Sequence, residues 1–312
     1  MSKRLIVHMG VHRTGTTAIQ ETLKKNRASL LEQGVLYPRL FGEDAHIALP
    51  GRLKRRSLSA KMLREEIKKV DTDETHTVIL SAEDFCTLKR FAFLRELQKE
   101  FDVEVVLYLR RQTEWLESWY NQHIKWPWDR RFSSVSVENF LKKSWRFYWM
   151  DYYKLLRRIE RVVPREYIRV KTVEAKGITD SSEDFFAFAG IDVYRLNKAK
   201  EANASLTSMQ IGVLRHLDLI DRDPKERWKL ISALKQMQLP GDDRSKIILT
   251  DAQAEKIAKR FARSNRLVAQ HYFGRSELFL DAEIRQRAPR FPEKKAVRER
   301  YIPELLKKAG LA

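Results

Sequence analysis

Within its first 36 residues the chain changes hydrophobic period once, and that change limits what it can fold into. Leu5, Ile6, Val7 and Met9 form a short apolar run, bounded as a buried strand would be. Gly10 to Thr17 follow, a turn rich in Gly and Thr. From Thr17 the apolar residues Ala18, Ile19, Leu23, Leu30 and Leu31 recur at helical spacing as far as Gln33. Gly34 stands where a helix C-terminus calls for a left-handed residue. The stretch therefore predicts strand, tight loop, helix. Such a loop binds phosphate-like groups, because its backbone N–H groups and the positive end of the helix dipole converge on one point.

The loop's spacing refines this expectation. Gly10, Gly15, Thr16 and Thr17 read G-x-x-x-x-G-T-T, against G-x-x-x-x-G-K-[ST] for an ATP-binding P-loop. Both glycines stand where backbone must wrap an anion, and Thr17 supplies a hydroxyl at the expected place. Thr16 replaces the lysine, and a cation appears earlier, as Arg13. An NTPase needs that lysine on the outer phosphates and the hydroxyl on Mg²⁺. The loop keeps the anion cradle and is a poor ATPase loop.

The run HMGVHRTGTTAIQETLKKNRASLLEQGVLYP, residues 8–38, resembles the 5′-phosphosulfate loop and first helix of the PAPS-dependent sulfotransferases. It is most similar to the bacterial branch whose loop reads K/R-T-G-T-T and whose helix leads into G-V-x-Y-P, here Gly34, Val35, Tyr37 and Pro38. A second run, VEVVLYLRRQTEWLESWYNQ at residues 103–122, resembles that family's 3′-phosphate site: a strand ending in Arg110, with Ser118 eight residues on. Two motifs in the right order are far more specific than either alone. Weaker likeness continues at residues 203–206 (NASL) and 264–279 (SNRLVAQHYFGRSELF), so it spans most of the chain.

The resemblance implies a P-loop NTPase-like sulfotransferase fold, PAPS as sulfuryl donor, PAP as product, and no required metal. It implies that the backbone of residues 13–17, with Gly15 and the hydroxyls of Thr14, Thr16 and Thr17, holds the donor. Arg13 takes the place of the family's usual Lys beside the bridging oxygen, where its planar fork can clamp phosphate and sulfate together. A guanidinium does not readily give up a proton, so its expected help is electrostatic. Arg110 and Ser118 are expected on the 3′-phosphate, with Arg111 replacing Arg110 if the strand runs one residue longer. Glu83, just past a strand, is the first candidate for the base that takes the acceptor's proton. His46, with a near-neutral titration range, is the second. His12 is expected to shape the loop close to the sulfate, and Asn203 and Ser205 to complete the nucleotide pocket.

Composition sets outer bounds. With 312 residues, 43% hydrophobic and 33% charged, the chain has the makeup of a folded globular protein rather than a disordered one. No apolar run approaches the roughly 18 residues that would cross a bilayer. The apolar run after Lys3 and Arg4 is too short for a signal-peptide core. Cys86 is the single cysteine, so no intramolecular disulfide forms, and a cytoplasmic protein is expected. The net charge of +19 favours anionic partners such as nucleotides, acidic polysaccharides, nucleic acid or an anionic membrane surface, and exceeds what a nucleotide alone requires.

Strands are predicted at residues 77–80, 103–109 and 167–170, and helices at 59–70, 88–101 and 183–189. Residues 39–57 read as a loop carrying His46 and the basic run Arg52, Lys54, Arg55, Arg56. Alternating strands and helices imply parallel pairing with right-handed crossovers, hence an α/β three-layer sandwich around a central parallel sheet. Ligands then bind at the C-terminal strand ends, where Gly10–Thr17, residues 81–84 and Arg110 all fall. Six of the seven Trp lie between Trp115 and Trp149. The pairs Trp115/Trp119 and Trp145/Trp149, spaced i,i+4, read as core faces of two helices. Trp126 and Trp128 read as loop residues able to shape an acceptor pocket for a sugar or an aromatic. Helices are predicted at 207–220, 224–237 and 251–272, followed by a basic, Pro-punctuated tail at 285–308. One domain is expected, with an α/β core over about 1–195 and a mainly helical part over about 196–312.

Two other readings stay open on sequence. A P-loop kinase or NTPase would use TVILSAED, residues 77–84, as the strand presenting Asp84 to Mg²⁺, but the loop lysine is missing. A non-catalytic basic module would bind nucleic acid or acidic glycans through residues 52–56 and the tail, with steep salt dependence. The acceptor, a small molecule or a glycan with carbohydrate favoured, is not specified by any motif.

Overall fold

Strands that are apolar on both faces must be covered on both faces, and parallel sheets meet that demand. The computed structural model describes residues 2–174, 180–197, 205–281 and 286–311. In chain order these form β1 (Lys3–His8), α1 (Thr16–Lys25), α2 (Arg27–Leu31), β2 (Val35–Leu36), α3 (Ala48–Lys54), α4 (Ala60–Val70), β3 (Thr77–Ser81), α5 (Ala92–Leu97) and β4 (Phe101–Leu109). There follow α6 (Gln112–Lys125), α7 (Val137–Lys142), α8 (Tyr152–Glu160), β5 (Ile168–Thr172) and α9 (Ser181–Ala189). The remainder is helical: α10 (Ser208–Leu214), α11 (Pro224–Lys235), α12 (Asp251–Val268), α13 (Lys294–Ala296) and α14 (Ile302–Lys308).

The sheet runs β2-β3-β1-β4-β5, and every pairing is parallel. Helices flank it, as an α/β fold with a central parallel sheet requires. From central β1 the chain fills one side with β2 and β3, then crosses to β4 and β5. The order therefore reverses at β1, and the crevice that such a reversal opens lies at the strand's C-terminal end. On one face Ile6, Ile79, Val106 and Tyr108 pack against Ile19 and Leu23 of α1 and Phe185 and Phe186 of α9. Burying those side chains contributes roughly 1.5–3 kcal/mol each, and it fixes α1 and α9 beneath the first loop.

The described chain forms two units whose segments interleave. The first comprises Met1–Arg111, Tyr148–Ala202 and Phe261–Asp281, and holds the whole sheet. The second comprises Gln112–Phe147, Asn203–Arg260 and Ala282–Ala312. Its core is aromatic: Trp115 stacks on Trp119 with ring centroids 5.2 Å apart, and Phe147 meets Trp115 edge-on at 5.6 Å. Glu117 is buried there, its Oε1 accepting N–H groups of Ile248 and Leu249 and the Arg287 guanidinium at 2.9 Å. Charge-assisted bonds to one carboxylate oxygen let a charge survive burial.

Several boundaries differ from the sequence expectation. The helix read through residue 33 breaks at Asn26, whose side-chain amide binds the carbonyls of Thr22 and Asn197 and whose oxygen accepts the Asn197 N–H. The stretch 39–57 contains α3, seated by buried Leu49 and Pro50. The helix predicted at 88–101 shortens to α5, because Phe101 is already paired in β4. Trp115 and Trp119 share the α6 core face, but Trp145 and Trp149 lie on separate 3-10 turns, and Trp145 is 60% exposed. The basic tail is helical from Lys294 and packed, with Val297 and Leu305 fully buried. Among the described residues no helix is long and apolar enough to cross a membrane.

Candidate functional site

The loop after β1 is shaped by two glycines and held from below by two side chains. Gly15 caps α1 at φ 83°, the left-handed region, and no side chain caps the helix in its place. A Cβ on Gly15 would lie 2.3 Å from the Ser181 hydroxyl, and one on Gly10 would lie 2.2 Å from the Thr16 methyl. Arg13 also adopts positive φ, at 66°. The Ser181 hydroxyl at the start of α9 donates to the Thr14 carbonyl at 2.6 Å. Arg110 Nη1 donates to the Arg13 carbonyl at 3.3 Å. With those carbonyls tied back, the uncapped start of α1 is left for an anion. Thr14 and Thr16 are 1% exposed, Thr17 is exposed, and Thr14 Oγ1 makes no hydrogen bond among the described residues.

The neighbouring strand delivers two carboxylates to the same loop. β3 ends beside β1, with Ser81 level with His8, and a 3-10 turn, Glu83–Thr87, follows at once. His12 Nδ1 lies 2.9 Å from Glu83 Oε2, and its Nε2 lies 3.1 Å from Asp84 Oδ1. The Trp149 ring covers it at 6.0 Å. Burial alone would lower the His12 pKa. The hydrogen bonds and charges of Asp84 and Glu83 outweigh burial and raise it to about 9. His12 is therefore an imidazolium bridging two carboxylates, a role the sequence reading did not give it. The Arg13 guanidinium is pulled down from its ordinary value by burial and by nearby Arg110, against the opposing charge of Glu83. It stays protonated at any working pH.

His46, the second base candidate, is placed against that role. It is 1% exposed, donates from Nε2 to the Pro38 carbonyl at 2.8 Å, and accepts the Ser81 N–H at Nδ1. Burial lowers its pKa to about 4, and both ring nitrogens are taken by backbone. No lone pair remains for an acceptor proton. Arg110 and Arg111 separate plainly. Arg110 faces the loop, with its carbonyl taking the Tyr152 hydroxyl at 2.5 Å, whereas Arg111 reaches the Asp281 carbonyl and lies over the Phe279 ring. Ser118 sits on α6 in the second unit. Ser205 is half-buried outside any element there, and Asn203 lies outside the described residues. Trp128 is 53% exposed with its ring 4.2 Å from that of His123, while Trp126 packs on Trp228 at 4.8 Å. Ser181 was invisible in the sequence, because nothing marks a serine 167 residues away as the prop of a loop.

Comparison with known proteins gives three findings. The chain is 30% identical over 250 residues to an uncharacterized protein of Archaeoglobus fulgidus, an alignment covering 75% of this chain and 67% of that one. A crystal structure of a sulfotransferase from Alicyclobacillus acidocaldarius superposes with a TM-score of 0.43 and 13% identity, over 73% of this chain and 100% of the other. The sulfotransferase-domain family model matches residues 5–175, which include the anion loop, the carboxylate turn and Arg110. On that match, over more than half its length, the chain belongs to the sulfotransferase domain family.

Proposed function

We propose that the protein transfers a sulfuryl group from PAPS to a hydroxyl or amine of an acceptor, a carbohydrate for preference, and releases PAP. One observation carries this reading: a lysine-free anion loop shares its crevice with a carboxylate at the end of the adjacent strand, Glu83 Oε2 lying 2.9 Å from His12 of the loop. The residues fit a phosphosulfate. Thr14 Oγ1 is buried without a hydrogen bond among the described residues, and α1 begins without a side-chain cap.

Bound PAPS supplies the SO₃ group: its bond from sulfur to the phosphate oxygen breaks as a bond to the acceptor oxygen or nitrogen forms, and the electron pair leaves on the phosphate. Arg13 offsets the charge that develops there, as a fixed cation rather than as an acid. Arg110 takes the 3′-phosphate, while the assignment of Ser118 to that phosphate rests on the sequence motif. Glu83 accepts the acceptor's proton. His12, held to its Oε2, keeps the carboxylate turned toward the loop. Asp84, the Mg²⁺ ligand of the kinase reading, is instead engaged by His12.

Calorimetric titration with PAP, beside ADP and ATP with and without Mg²⁺, tests the proposal. PAP is expected to bind well above ADP and without regard to Mg²⁺. A preference for Mg·ATP would overturn it.

A further inference from the structure

The anion loop and Arg110 account for little of the +19 net charge. Much of the remainder is unevenly neutralised. On α4 the exposed cations are matched: Lys61 meets Glu65 at 3.8 Å, Lys68 meets Glu100 at 3.3 Å, and Lys69 meets Glu66 at 2.9 Å. On α3, just after it, and at Lys89 and Arg90 they are not. Lys54, Arg55, Arg56, Lys89 and Arg90 are exposed and Arg52 is half-buried. None of the six forms an ion pair within 4 Å among the described residues. Helix α3 packs against the turn Glu83–Thr87, and Lys89 and Arg90 follow that turn directly in the chain. One or two cations at the C-terminus of a short helix answer its dipole. Six along α3, the two residues after it and Lys89–Arg90 exceed that purpose, and of these Arg52 alone is shown to feel a carboxylate, that of Glu66.

We infer that the acceptor is an acidic polysaccharide, a chain bearing carboxylate or sulfate groups, which lies along α3 and Lys89–Arg90 with its reacting group at Glu83. The inference rests on the sulfotransferase reading and names that site's substrate class. A polysaccharide fits better than a single-stranded nucleic acid, which needs exposed rings on which bases stack. Here the rings are covered: Phe41 lies under Arg52 at 4.3 Å, Tyr148 lies under Lys89 at 5.6 Å, and Phe85 and Phe91 are buried.

The test uses the full chain and a charge-reversed variant, K54E/R55E/R56E, whose substitutions are all at exposed positions. A size-defined heparin oligosaccharide is titrated at several salt concentrations, and PAP is titrated separately. The variant is expected to bind heparin about tenfold or more weakly, with a shallower salt dependence and unchanged affinity for PAP. K89E/R90E is expected to repeat the loss. Heparin binding equal in wild type and both variants, but lost in the tail variant K294E/K295E/R298E, would overturn the assignment. Tighter binding of a single-stranded DNA of equal charge, lost in the same triple variant, would overturn the polysaccharide in favour of nucleic acid. Failure of the wild type to bind PAP would remove the donor reading and with it the acceptor role. The heparin titration would still decide whether this strip is an anion site.

Discussion

Burial drives His12 and His46 alike toward the neutral form, and only His12 has carboxylates that reverse it. His12 titrates near 9 folded and near 6.5 unfolded, so its contribution is complete below pH 6.5 and is lost as pH rises through 9. Chemical denaturation across pH 6 to 9.5 should show stability falling by an amount on the order of 1–3 kcal/mol, and His12→Asn should flatten that slope. An equal slope in the variant would remove the imidazolium from between Glu83 and Asp84. His46 has the opposite sign: its stabilising effect is present above pH 6.5 and lost as pH falls through about 4. Glu83→Gln should lower turnover about 10²- to 10⁴-fold with PAP binding retained. His46→Ala should cost about 1–3 kcal/mol of stability through its stranded backbone partners, with turnover preserved. If His46→Ala abolishes turnover in a folded protein and Glu83→Gln does not, the base is His46. The sequence named both residues as candidates. It put Glu83 first, but could not show what holds either one, since that depends on partners 71 and 35 residues away along the chain.

The strand, loop and first helical turns were legible because each is written in local chemistry: an apolar run, glycines at fixed spacing, a switch to helical period. Gly15 shows why the spacing holds. Its φ of 83° disfavours any Cβ, and Ser181 occupies the space that one would need. Gly15→Ala should therefore abolish PAP binding while lowering stability by about 1–2 kcal/mol or more. Ser181→Ala is the gentler probe of the same element. It removes only the hydrogen bond to the Thr14 carbonyl, so it should weaken PAP several-fold and cost about 1 kcal/mol. If Ser181→Ala binds PAP as wild type does, the loop is set by its own backbone and α9 is mere packing. What the sequence hid at this scale was tertiary. Asn26 ends a helix by binding residue 197, and α3 forms around Pro50 because Leu49 and Pro50 find a buried seat. Neither partner is local, so neither element could be read from period alone.

Across the whole chain, composition predicted a strongly basic protein, and the structure distinguishes cations that are matched from cations that are not. The C-terminal segment is the instructive case. Its run of Lys and Arg reads as a basic, Pro-punctuated tail, and the structure adds that Val297 and Leu305 are fully buried and Tyr301 is 7% exposed. Three apolar positions at helical spacing turn a charged segment into part of the second unit's core, where α14 packs on α11. The polar majority of such a segment obscures its apolar stripe, so average charge misleads where periodicity does not. A packed tail and a solvated one differ in a measurable way. Leu305→Ala in a packed helix should lower unfolding free energy by about 2–5 kcal/mol in urea, whereas Lys308→Ala, on the exposed side, should change it by no more than about 0.5 kcal/mol. Equal, negligible effects of the two substitutions would return residues 294–311 to the solvent. The basic side chains there are exposed in the packed helix too, and form a rival anion site to the strip beside Glu83. A large effect of Leu305→Ala alone assigns the segment to the core. It leaves Lys294, Lys295 and Arg298 exposed and, like Lys89 and Arg90, without an ion pair within 4 Å among the described residues. Heparin binding by the tail variant K294E/K295E/R298E then decides between the two strips.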